Sequence, residues 1–260
     1  MKSLILIFVF NLFSLPVFSQ ESKPSLVLIP AGIYRPFYPA DDKEKEVPIK
    51  SFYLQSVPVS NGDYLTFIKQ NPQWQKGKPT KLFSDARYLS HWKSITELGA
   101  SVDKDQPLTH VSWFAAKAYC EWKGLRLPRE SEWEYAAVAS ETQADSRNDL
   151  LWRQRILDWY SKPASKVIQK VGKTPPNYWG IYDLHGLIWE WVLDFNNAVV
   201  SSDSRDGKEA DKNKFCGAAS LVATEKEDYA TFMRMAFRAS LKANYTTSNL
   251  GFRCAKDGLP

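Results

Sequence analysis

The stretch Asn177–Asn196, NYWGIYDLHGLIWEWVLDFN, constrains this chain more than any other. It is rich in tryptophan, tyrosine and aliphatic residues, as a core strand is. Yet it carries Asp183, Glu190 and Asp194 together with His185. A buried carboxylate without a partner is costly. Either these side chains sit on a wet face, or the fold brings positive charge or hydrogen-bond donors to the carboxylates. From the residues alone there are two ways to do so. Asp183 and Glu190 meet a cation, or they cap turns and pair with nearby basic side chains.

The chain has 260 residues and is 44% hydrophobic, enough to bury a real core in one large or two small domains. Ten tryptophans exclude a disordered chain. The formal charge of +5 is modest, and no arginine-rich stripe interleaves with aromatics, so nucleic-acid binding is not expected. Residues 1–19 read as a secretory signal: Lys2, an apolar run broken by Asn11 and Pro16, and the small residues Val17 and Ser19 before the cut. Residues 20–25 read as a short linker and 26–260 as one domain. No later segment approaches the length of a membrane span. The expected location is periplasmic or secreted, where disulfides persist. Three cysteines, Cys120, Cys216 and Cys254, leave at least one thiol over, and spacing does not say which two join.

SLVLIPAGIYRPF reads as a strand with a turn inside it, and VPIKSFYLQSVPVS as a second strand pair. A helix is expected after Ser60, with Tyr64, Phe67 and Ile68 on its inner face. The clearest helix starts at the N-cap Ser112, presents Ala115, Ala118, Tyr119 and Trp122, and stops at Gly124. A third follows Pro128, with Glu130 and Glu132 in its first turn. LLWRQRILDWY reads as a surface helix, residues 197–214 as an exposed polar loop, and the stretch from Thr231 onward as short strands and turns. Short strands, a few helices and long irregular connections give an α+β fold. There is no G-x-S-x-G elbow, no H-E-x-x-H and no glycine-rich phosphate loop.

Taken in order, IPAG, PVSNGDYLTF, PLTHVSWFAAKAYCEWKGLRLPRESEWEYAA, YDLHGLIWEW and SNLGFRCAKD resemble the sulfatase-modifying-factor family, the formylglycine-generating enzymes and their relatives. The resemblance implies a compact, loop-rich variant of the C-type-lectin-like fold. It implies a calcium loop with the Asp183 and Glu190 side chains and the Gly186 and Ile188 carbonyls as ligands. Hard oxygen donors of that kind suit calcium. Relatives usually have Asn where this chain has Leu187. The resemblance also implies a Cys120–Cys254 disulfide.

Formylglycine-generating enzymes oxidise a substrate cysteine with a thiolate pair that holds copper(I), a soft ion suited to soft ligands. The pair follows a GGS stretch that matches Ala218, Ala219 and Ser220 here, and its first cysteine falls at about Ala223. No cysteine lies between 217 and 253, so the pair is absent. Cys216 and Ser220 are the remaining candidates for chemistry there, with Met233, Met235 or a histidine as further soft ligands. Relatives with non-haem iron use a histidine cluster; this chain has only His91, His110 and His185, without ligand spacing. Two functions follow. One is a calcium-stabilised binding or assembly module. The other is a divergent oxidoreductase, using copper or iron, that modifies a periplasmic protein or small molecule.

Overall fold

The computed structural model describes residues 25–36, 45–161, 167–195 and 229–258. The expected signal and most of the linker, Cys216, Ser220 and the 197–214 loop lie outside these residues. The fold is α+β, as expected.

The first strand segment breaks at Pro30–Ala31 into β1 (Leu26–Ile29) and β2 (Gly32–Tyr34). The second gives β3 (Val47–Ile49) and β4 (Phe52–Gln55). The chain then forms α1 (Asn61–Gln70), a 3-10 turn (Pro72–Trp74), α2 (Trp113–Trp122), α3 (Glu130–Ala137) and α4 (Leu150–Ser161). Strand β5 (Trp189–Trp191), helix α5 (Tyr229–Ser240), β6 (Leu250–Phe252) and β7 (Ala255–Asp257) follow. Among the described residues the strands form three small sheets: β1-β4-β7 antiparallel, β2-β3 antiparallel, and β5-β6 parallel.

Local chemistry sets the helix starts. Ser60 Oγ accepts from the Asp63 amide while the Asp63 carboxylate accepts from the Ser60 amide, a capping box. Ser112 Oγ accepts from the Ala115 amide. The inner faces of α1 and α2 meet in an aromatic core: Tyr64 stacks on Tyr119 at 5.8 Å, and Tyr119 meets Phe252 of β6 edge-on at 5.4 Å. Cys120 and Cys254 form a disulfide that joins α2 to the segment between β6 and β7. It closes a loop of 134 residues. In the chain-entropy account that stabilises by roughly 5 kcal/mol.

Asn61 is one of the side chains that tie down the irregular 71–106 segment. Asn61 donates to the Asp103 and Gln106 carbonyls, and its Oδ1 accepts from the indole of Trp92, which is 1% exposed. The parallel pair β5-β6 lies very close to the core. A Cβ on Gly251 would stand 2.2 Å from the Leu108 carbonyl oxygen, so only glycine fits there.

One expectation is corrected. Residues 229–240 form a helix, not short strands and turns. Its buried face carries Ala230, Thr231, Arg234 and Arg238. Two arginines on the inner face invert the usual amphipathic pattern, with the polar side of the helix turned inward. Their spacing of four is nonetheless helical, and it meets the same spacing on α3.

Candidate functional site

In β5 the side chains alternate, so Trp189 and Trp191 face one way and Glu190 the other. Trp189 packs on Phe237 of α5 at 4.3 Å, and the Trp191 indole donates to the Val111 carbonyl. Glu190, fully buried, accepts from Arg253 through both oxygens: Nε to Oε2 at 2.7 Å and Nη2 to Oε1 at 2.8 Å. The Trp133 indole donates to Oε2 as well, at 2.8 Å. Arg253 spends its remaining donors on the carbonyls of Gln55, Ser56 and Tyr182.

Asp183 sits in a left-handed turn, φ +60, and is buried. Its carboxylate accepts from the Gly172 amide and from the amide and hydroxyl of Thr174. Asp194 accepts from the Glu130 amide at 2.7 Å, at the N-terminus of α3, where the helix dipole favours negative charge. Every carboxylate of the aromatic stretch therefore meets a donor from the protein.

This bears on calcium. The expected ligand set was Asp183, Gly186, Ile188 and Glu190. Gly186 does turn the chain, at φ +100, and Ile188 is buried. The two carboxylates, however, serve different donor groups, and Glu190 is aimed at a guanidinium. As arranged, the set does not fit calcium, and capping and pairing with a basic residue describe the two carboxylates. The sequence reading missed Arg253 as the partner. The signal available was its place directly after β6, in the last of the recurring motifs.

A second buried ion cluster joins α3 to α5. Arg234 holds Glu134 with two bonds, Nε to Oε1 at 3.0 Å and Nη2 to Oε2 at 2.8 Å. Arg238 Nη1 bridges Glu134 at 2.6 Å and Glu130 at 2.9 Å. Arg234 also donates to Tyr160 and Thr231. Burial alone would raise the Glu134 carboxyl, but Arg234 and Arg238 outweigh it and hold it at about 2. Burial pushes Glu130 up, against the pull of Arg238. Glu134 is 2% exposed inside this cluster, and its helix neighbour Glu132 pairs with Arg126 at 2.7 Å.

The histidines do not assemble. His91 and His110 stack at 4.6 Å with rings 25° apart, which offers faces rather than lone pairs to a common ion. Burial, then the neighbouring His110, pushes His91 down to about 3. His185 lies among Trp133, Trp152 and Tyr160 instead. Its Nε2 must carry the hydrogen, because it bonds the Ala137 carbonyl at 2.9 Å. Burial pushes its pKa down to about 4.

Beside His185 runs a cleft of about 370 Å³. Trp152, Ile156 and Trp159 of α4 form one wall; Asn177, Leu184 and His185 form the other. The first three recur at i, i+4 and i+7, so the helix expected on the surface lends one face to this cleft. No described helix is long and apolar enough to cross a membrane.

Comparison with known proteins matches residues 14–258 to the sulfatase-modifying factor enzyme 1-like domain. The formylglycine-generating enzyme of Mus musculus is 26% identical, over 90% of this chain and 76% of its own length. That of Thermomonospora curvata is 28% identical, over 92% of this chain and 96% of its own. The inactive C-alpha-formylglycine-generating enzyme 2 of Bos taurus is 27% identical, over 81% and 79%. Among solved structures, PvdO from Pseudomonas aeruginosa covers 92% of this chain and 96% of its own, with a TM-score of 0.50 at 18% identity. That likeness concerns the fold.

Proposed function

Because the chain belongs to the sulfatase-modifying factor enzyme 1-like family, we propose that it is an exported binding or assembly module and not a cysteine-to-formylglycine oxidase. One observation carries the reading. Of three cysteines, two are joined as Cys120–Cys254, which leaves Cys216 as the only thiol in the chain. A copper(I) centre of the family's kind needs two thiolates, and one chain cannot supply them. The inactive paralogue among its relatives supports a non-catalytic role within this family. The disulfide supports export, since such bonds persist outside the cytoplasm. The partner is a periplasmic protein or a small molecule. The tryptophan-walled cleft beside α4 is of a size for small-molecule binding.

The test is elemental analysis of the mature protein purified without chelator, paired with a mass-spectrometric assay of cysteine conversion in a sulfatase-type peptide. We expect neither stoichiometric copper or iron nor conversion. A metal retained by the wild type and lost in Cys216→Ala, or conversion of the peptide, would replace this reading with that of a divergent oxidoreductase.

A further inference from the structure

The oxygen atoms around Arg253 are of the kind that build a calcium site. Two come from the Glu190 carboxylate, and three are the main-chain carbonyl oxygens of Gln55, Ser56 and Tyr182, all 2.7–3.3 Å from guanidinium nitrogens. Carboxylate and carbonyl oxygens are what a hard cation takes. Here the cation is covalently part of the chain. We propose that Arg253 is the resident cation of this oxygen site, and that the Glu190 loop is closed by the guanidinium and takes no metal.

Three observations support this. First, both side chains are fully buried, so water and salt screen their charges little. A divalent ion at coordination distance from Glu190 would lie beside the Arg253 guanidinium, and like charges in a low-dielectric interior repel strongly. Second, the planar fork of Arg253 matches the carboxylate bidentately, which a spherical ion does not need and would have to break. Third, the other expected carboxylate is engaged elsewhere: Asp183 is held by Gly172 and Thr174. The consequence is a scaffold indifferent to ambient calcium. The segments it joins, the 55–56 turn, Tyr182, β5 and the end of β6, stay joined whether the ion is present or not.

The experiment uses the full mature protein. Its melting temperature is measured in 1 mM EDTA and in 5 mM calcium chloride. An ion bound at a hundred times its dissociation constant would raise the melting temperature of a chain this size by roughly 5–10 °C. We expect a difference below about 1 °C. A calcium-dependent rise of the larger size that Asp183→Asn abolishes would overturn the proposal. A rise that Asp183→Asn leaves intact belongs to an ion elsewhere and agrees with a filled site at Glu190. In a second arm, Arg253→Ala should lower the melting temperature by roughly 10 °C, as expected when one partner of a buried pair is removed. An Arg253→Ala protein that melts with the wild type would also overturn the proposal. If that variant does not fold, the wild-type calcium comparison still decides.

Discussion

The molecule holds two buried arginine–glutamate clusters, and they are built differently. At Glu190, one arginine meets one glutamate of β5 and three main-chain carbonyls, two at the end of β4 and one at Tyr182. At Glu134, two arginines on α5 meet two glutamates on α3, side chain to side chain, and Tyr160 and Thr231 accept further bonds from Arg234. Trp133 stands between them. Its indole N–H donates to Glu190, while its ring faces the Arg238 guanidinium at 4.9 Å. The first cluster locks the backbone of the scaffold. The second attaches one helix to it. A buried pair is weak evidence of net stability, but breaking one leaves an expensive uncompensated charge. What differs is how far the damage spreads: through the sheets in the first case, along one helix in the second.

Four changes, from the largest effect to the smallest, would sharpen or break this contrast. Removing the disulfide with Cys120→Ala and Cys254→Ala should cost roughly 5 kcal/mol in the chain-entropy account. Because Cys254 adjoins Arg253, the loss should appear as global unfolding in a urea titration. Replacing Glu190 with Gln should cost about 3–5 kcal/mol, again globally, because Arg253 keeps its burial and loses its countercharge. Replacing Glu134 with Gln should cost about 3 kcal/mol, and hydrogen exchange should place the loss in α5 with the strands still protected. Equal loss of protection across β5 and β6 would show that the two clusters form one unit. Ser60→Ala touches neither cluster and should cost about 1 kcal/mol, the worth of an N-cap.

Acid offers a further separation. The Glu134 pKa, about 2, lies below its ordinary value of 4.5. The stability it lends is fully present above pH ~4.5 and is lost as pH falls from there towards 2. The His185 pKa is lowered to about 4 from 6.5, so the unfolded chain takes up that proton first and stability falls between those values. His185 and Glu134 both neighbour Tyr160 or the arginine that holds it. Exchange protection in α5 should therefore weaken in two steps as pH drops from 6.5 to 2, and His185→Gln should remove the upper one. His91 titrates in the same range, so the readout has to be local to α5.

Much of the scaffold was legible in advance. Ser60 and Ser112 announced their helices because an N-cap is local chemistry, decided within three residues. Tyr64, Phe67 and Ile68 announced a buried face because periodicity is local too. The last helix was not legible in this way. Its inner face is polar, and its arginines make sense only once α3 presents Glu130 and Glu134 to them. The carboxylates of the aromatic stretch posed the same difficulty. Sequence established that, once buried, they need positive partners or donors, but Arg253 lies 63 residues from Glu190 and Gly172 lies 11 residues before Asp183.

The sequence by itself determined the α+β class, the capped helices, the family's order of motifs, and the absence of a thiol pair after residue 217. Each follows from composition, short-range spacing or inventory. Only the tertiary structure decided which charge meets which. Burial makes an unmatched charge so costly that the fold must supply a partner, and chain distance does not determine which residue that partner is.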